Sequence, residues 1–223
     1  MSETPTLPYH SYLFFDVDAA LYAQLDVAGL AAQFADMLRN RSDAWHELYA
    51  TRGLKANTTF MVWVQATSPE YVTELLGRLL RSEMGGFVRV TYSYFGMTRR
   101  SQYGGSGAED QVIRNQVERL PYLIVYPFTK TIEWHLLSLE ERREAMGGHI
   151  RVGVKHKGVR QCLLYSYGID DNEFVVSYET PTLEAFQELV IELRGTEARR
   201  YTLNDLPIFT CVHKSPHAFA AWL

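Results

Sequence analysis

The chain has 223 residues, enough for one large domain or two small ones, and its 47% hydrophobic content can bury a sizeable core. Its 22 Lys+Arg stand against 26 Asp+Glu, and the resulting charge of −4 excludes the basic footprint of a general nucleic-acid binder. The longest apolar runs are too short for a membrane span, and residues 1–8 are polar without an apolar signal core, so a cytoplasmic protein is expected.

Read in chain order, the hydrophobic periodicity predicts strand, helix, strand, strand, helix, strand, and then the same again. His10 to Asp18 reads as a strand, and Ala28 to Asn40 as a helix with Leu30, Phe34, Met37 and Leu38 at helical spacing. Trp45 to Thr51 and Thr58 to Thr67 are strands. Ser68-Pro69-Glu70 then opens a helix, with a capping side chain, proline in the first turn and an acid at the positive end of the dipole. That helix stops near Gly85-Gly86, and Phe87 to Gly96 is the fourth strand.

The second half runs from the strand Pro121 to Lys130 to a helix opened by the capping box Ser138-Leu139-Glu140-Glu141. Strands Val159 to Gly168 and Glu173 to Glu179 follow, joined by a turn at Ile169-Asp170-Asp171-Asn172. Thr182 caps a helix with Leu183, Phe186, Val190 and Leu193 on one face, and Pro207 to His213 is the last strand. Arg99 to Gln116 carries Gly104, Gly105 and Gly107 and reads as a crossing loop, long enough to suggest a cover or linker. The expected organisation is an N-terminal ferredoxin-like half over 8–98, a connecting loop over 99–118 and a C-terminal ferredoxin-like half over 119–214. Each α+β half must hide the open face of its antiparallel sheet, and two such sheets can pack together into a barrel.

Cys162 and Cys211 fall on separate strands and are expected as two buried thiols rather than a disulfide. The seven histidines form no cluster with zinc-ligand spacing.

Chemistry concentrates in the second half. Tyr126 and Lys130 lie on one strand, His149 follows on the next helix, and Arg160 and Gln161 sit side by side on the strand after it. Each has an ordinary role open to it. A strand tyrosine packs on its sheet, a strand-end lysine is solvated, and a histidine at a helix end is favoured by the dipole. His156 and His135 are weaker candidates of the same kind as His149, with His156 expected to be solvated. Tyr92 and Tyr94 line a ligand site or simply pack on their strand.

Several separated blocks nevertheless agree in order with one family. Leu120-Pro121-Tyr122-Leu123-Ile124-Val125-Tyr126-Pro127-Phe128-Thr129-Lys130, Glu133-Trp134, Glu140-Glu141-Arg142-Arg143, His149, Tyr167-Gly168-Ile169-Asp170-Asp171, Leu193-Arg194 and Thr196-Glu197-Ala198-Arg199 resemble the chlorite dismutase / coprohaem decarboxylase superfamily. The resemblance covers residues 90 to 212 well and the first half by pattern. It implies a dimeric α+β barrel made of two ferredoxin-like βαββαβ repeats, a haem-type site in the C-terminal half and a homo-oligomer, usually a pentamer. It further implies His149 as the proximal ligand of the iron, with Lys130, Arg194 and Arg199 on propionates.

Tyr126 matches the tyrosine that, in coprohaem decarboxylases, lies beside a reacting propionate and relays a radical to it. The residue over the distal side of the iron is Gln161, as in one branch of coprohaem decarboxylases, or Arg160, as in chlorite-decomposing relatives. Strand alternation admits only one of the two. The implied activity is peroxide-dependent oxidative decarboxylation of Fe-coproporphyrin III to haem b, with hydrogen peroxide as oxidant and the substrate's own iron as the redox centre. The alternatives are chlorite decomposition on haem b and a non-catalytic haem-binding module.

Overall fold

A computed structural model describes residues 8–99, 103 and 118–223, so most of the glycine-bearing connection expected over 99–118 lies outside the described residues. The chain divides into two compact units, Met1–Met97 with Thr210–Leu223, and Thr98–Phe209.

In the first unit the chain runs β1 (Tyr9–Val17), α1 (Val27–Asp36), β2 (Ala44–Ala50), β3 (Phe60–Ala66), α2 (Pro69–Arg81) and β4 (Val88–Met97). The antiparallel sheet order is β4-β1-β3-β2, the order of a βαββαβ unit. Asp26 caps α1 by accepting from the Gly29 amide at 2.8 Å, and Ser68 caps α2 by accepting from Tyr71. Helix α2 presses Val72, Leu75 and Leu79 onto the sheet at helical spacing. Phe15, Phe34 and Phe60 form the centre of this core, with Phe15 and Phe60 stacked at 4.9 Å. After α2 the chain turns so tightly that a Cβ on Gly85 would lie 2.4 Å from the Leu80 carbonyl oxygen and 2.5 Å from that of Leu79. Only glycine fits there.

The last strand, β9 (Phe209–Lys214), pairs with β2 through Leu48↔Lys214, Tyr49↔His213 and Ala50↔Val212. Helix α6 (Pro216–Trp222) then buries Phe219 against Phe60, rings 5.1 Å apart. Residues from Thr210 onward thus belong to the first compact unit. The pairing partner of a C-terminal strand is non-local, and local periodicity carries no trace of it.

The second unit runs β5 (Tyr122–Lys130), α3 (Ile132–Leu136), α4 (Leu139–Lys155), β6 (Arg160–Tyr165), β7 (Phe174–Thr180), α5 (Leu183–Arg194) and β8 (Thr202–Asn204). Strand β7 lies between β5 and β6, antiparallel to both, and β8 joins the Thr129–Lys130 end of β5. The capping box at Ser138 forms as expected: Ser138 N donates to Glu141 Oε2 at 2.7 Å, and Ser138 Oγ accepts from Glu141 N at 3.3 Å. Cys162 and Cys211 are buried thiols, and burial pushes the Cys211 thiol up.

Candidate active site

Strand pleat puts Tyr126, Phe128 and Lys130 on one face of β5. The ladders set Tyr126 opposite Val176, Val176 opposite Leu163, and Tyr178 opposite Gln161. Directly opposed residues share a face, so Gln161 looks the same way as Tyr126 and Tyr178. Val176 and Tyr178 are buried here with Leu189 of α5, while Tyr126, Phe128, Val152, Leu163, Phe186 and Leu193 pack around them only partly buried.

Arg160 is one residue away and on the other face. It stands opposite Glu179, with Arg160 Nη1 3.3 Å from Glu179 Oε2, and donates to the Glu118 carbonyl at 2.6 Å. Glu179 is fully buried and also lies 3.3 Å from Arg119. A buried carboxylate needs cations, and Arg160 is committed to that task. The alternative that sequence leaves open at this strand thus faces away from Tyr126.

On α4, Ala145, His149 and Val152 recur on one helix face. Ala145 is buried and Val152 packs on the apolar cluster, so His149 points inward with them. The helix continues beyond His149 to Lys155, which corrects the expectation of a helix-end histidine. Burial first, and then the charge of Lys130, push the imidazole pKa down to about 4. The ring is therefore neutral at pH 7. Among the described residues none hydrogen-bonds to it. The other two candidates are occupied: His156 Nε2 lies 3.1 Å from Glu192 Oε1, and His135 Nε2 lies 2.8 Å from Glu173 Oε1. His156 is thus half-buried against a carboxylate rather than solvated.

Lys130 Nζ sits 4.5 Å from the centroid of Trp134 and 5.8 Å from that of Phe128. Burial pushes its pKa down to about 8, opposed by Glu173 and reinforced by Arg199. No described carboxylate comes within ion-pair distance of Nζ. Arg194 closes α5, and Arg199 lies in the 3-10 turn Glu197–Tyr201. Both reach one oxygen: Asp205 Oδ2 accepts from Arg194 Nη2 at 3.2 Å and from Arg199 Nη1 at 2.9 Å. Burial raises the Tyr126 phenol well above its usual range. Tyr178 and Asp205 add to this, and Arg194 opposes it. Tyr126 is hydrogen-bonded to Tyr178, their rings stacked at 6.1 Å, and burial pushes Tyr178 up to about 12. Both phenols are protonated at neutral pH.

The expected site residues other than Arg160 are therefore linked. His149 feels Lys130, Lys130 feels Arg199, Arg199 and Arg194 share Asp205, and Asp205 and Arg194 act on Tyr126. Tyr178 connects Tyr126 to Gln161. Asp205 and Tyr178 are the two members that sequence reasoning missed. The one sequence signal for Asp205 is an acid lying a few residues after Arg194 and Arg199. Tyr92 and Tyr94 belong to the first unit, where Tyr94 is buried edge-on to Phe14 at 6.1 Å.

The residues present fit an apolar, anionic ligand that carries a metal. Helix α4 buries only Ala145 of its 17 residues, whereas α2 buries three of 13 and α5 sets Leu189 and Phe186 against Tyr178 of β7. A helix that is not pressed onto its sheet leaves apolar surface for something else to cover. A neutral imidazole, an ammonium without a carboxylate and the Gln161 amide are turned toward that surface, and no described residue hydrogen-bonds the imidazole or the amide.

The sequence profile of the family described as Chlorite dismutase matches residues 27–214. The coproheme decarboxylase of Mycolicibacterium smegmatis is 29% identical over 205 residues, covering 89% of this chain and 88% of that protein. The coproheme decarboxylase of Staphylococcus carnosus is 28% identical over 212 residues, covering 85% and 84%. Among solved structures, the chlorite dismutase of Candidatus Nitrospira defluvii in complex with imidazole superposes with a TM-score of 0.87 at 22% identity, covering 98% of this chain and 96% of that one.

Proposed function

The chain belongs to the chlorite dismutase family, and within it we propose that it is a coprohaem decarboxylase, an oxidoreductase that turns two propionates of Fe-coproporphyrin III into vinyls to give haem b. The observation that carries this reading is the convergence of Tyr126, Lys130, His149 and Gln161 on one half-covered apolar face, with the imidazole and amide unmatched by any hydrogen-bond partner among the described residues. Arg160, which chlorite chemistry would need on that face, is paired with Glu179 on the other.

In this reading His149 offers a neutral nitrogen to the iron, with no proton to displace at pH 7. Lys130, Arg194 and Arg199 receive propionate carboxylates. When bound, the substrate's iron supplies the peroxide-driven oxidising power. The phenol of Tyr126 gives up one electron and its proton, and the oxygen then takes a hydrogen atom from the propionate β-carbon. Carbon dioxide leaves and a vinyl remains. For each propionic acid side chain, one hydrogen peroxide is reduced to two waters as two hydrogens and carbon dioxide are lost. Gln161, on the same sheet face as Tyr126, would offer its amide to the oxidant at the bound iron porphyrin.

The proposal includes hydrogen peroxide as oxidant, a cytoplasmic homo-oligomer (five-membered by family resemblance) and the second unit as the porphyrin-binding half. No helix among the described residues is long and apolar enough to cross a membrane. The test is purified protein with coprohaem and hydrogen peroxide, followed by mass analysis of the porphyrin. Loss of two carboxyl groups is expected. Dioxygen release from chlorite without porphyrin decarboxylation would replace this reading with the chlorite one.

A further inference from the structure

Arg194 and Arg199 do not wait for a ligand as bare cations. A single carboxylate oxygen, Asp205 Oδ2, accepts from both, at 3.2 and 2.9 Å. Asp205 is only 20% exposed, against 49% and 34% for the two arginine side chains, so the acid lies deeper than the groups it holds. A third cation, Lys130, is close enough for Arg199 to depress its ionisation, and Tyr126 feels both Asp205 and Arg194. Without Asp205 the site would hold three mutually repelling cations beside a buried phenol. With it, two of them already have a carboxylate of the same chemistry as a propionate.

We propose that Asp205 is a specificity-determining residue, a resident counter-ion that competes with porphyrin carboxylates for Arg194 and Arg199 and keeps their hold on the ligand reversible. The inference rests on the porphyrin reading above. An arriving carboxylate must share or displace Asp205, so the affinity gained from the arginine pair is less than two unpaired guanidiniums would give. When that carboxylate is lost as carbon dioxide, Asp205 reclaims both guanidiniums, so neither Arg194 nor Arg199 is left without a counter-ion. The device suits a reaction whose substrate carries more carboxylates than its product.

Metal-free coproporphyrin III provides a binding readout that is independent of turnover, followed by quenching of its fluorescence at several salt concentrations. Asp205→Asn keeps an acceptor and removes the charge. It is expected to bind the porphyrin about three- to tenfold tighter, with a steeper loss of affinity on adding salt. Asp205→Glu keeps the charge and should stay near wild type. In an Arg194→Gln background the gain from Asp205→Asn should shrink, because one of the released partners is missing. Unchanged or weaker binding by a folded Asp205→Asn protein would overturn the inference and make Asp205 an orienting residue only. A wild-type protein that does not bind coproporphyrin III at all would instead sink the functional reading.

Discussion

Lys130 shows how burial tunes a single side chain. Its pKa of about 8, against 10.5 in water, leaves it mostly charged at pH 7 and neutral above pH 8 to 9. A propionate against Nζ restores the charge, so binding draws in a proton where the empty site has lost one. The sign follows: affinity for coprohaem falls as pH rises through about 8. Lys130→Met should lower affinity by about tenfold at pH 7, on the scale of one charge-assisted hydrogen bond, and flatten the profile above pH 8. Titration of the porphyrin absorbance band at a series of pH values checks both, and a variant profile parallel to wild type would remove Lys130 from the clamp. Tyr126→Phe should bind coprohaem within about threefold of wild type and lose decarboxylation by at least about a hundredfold, the scale of a missing proton-transfer group. Normal turnover by that variant would end the role given to the phenol. The alternation of Tyr126, Phe128 and Lys130 is legible in the sequence because a strand has a period of two. Asp205 is not, since an acid in a turn acquires its meaning only when the end of α5 and the following 3-10 turn fold back to it.

At the scale of elements, the second unit contrasts with the first. Helix α2 is held by three buried aliphatic side chains, whereas the seventeen-residue α4 buries only Ala145 and rests the partly buried Val152 on the apolar cluster. Helical stability in proteins comes mainly from such packing, so α4 is the less protected of the two in the empty protein. Porphyrin bound against Val152 and His149 would supply the missing contact. Amide exchange across residues 145–155 should slow by about tenfold or more on adding coprohaem, while exchange in α2 stays the same. Equal slowing in both helices, or none in α4, would argue that the ligand does not cover that face. The helix itself was plain in the sequence from the Ser138 capping box, but its loose packing was not, because periodicity reports which face is apolar and not how closely it is approached. The choice between Gln161 and Arg160 has the same origin. Sequence says that neighbours on a strand point apart, and only the register Gln161↔Tyr178 and Arg160↔Glu179 says which points where.

For the whole molecule, His46, buried in the first unit, and His149, half-buried in the second, make stability depend on pH in one direction. His46 in the first unit and His149 in the second are each pushed down to about 4, chiefly by burial. An unfolded chain takes up protons on these rings near pH 6.5, while the folded one does so only near pH 4. The unfolded state therefore binds more protons between those values, and stability falls as pH drops from 6.5 to 4. The loss is of the order of 3 kcal/mol for His46, which is 4% exposed, and roughly 2 kcal/mol for the more open His149. Denaturant titrations of the metal-free protein from pH 7.5 to 4.5 should show this decline, and His149→Phe should remove about its own share. If His149 holds the iron of bound coprohaem, only the second contribution changes. Ligation needs the neutral ring, so protons that reach His149 near pH 4 compete with the metal, and those that titrate His46 do not. The stabilisation conferred by coprohaem should thus hold from pH 7.5 to about 5 and collapse as pH approaches 4, while His149→Phe should abolish that collapse and alter the absorbance spectrum of the bound iron porphyrin. A wild-type spectrum persisting in His149→Phe would place the iron on another ligand and detach the acid response of the second unit from the site.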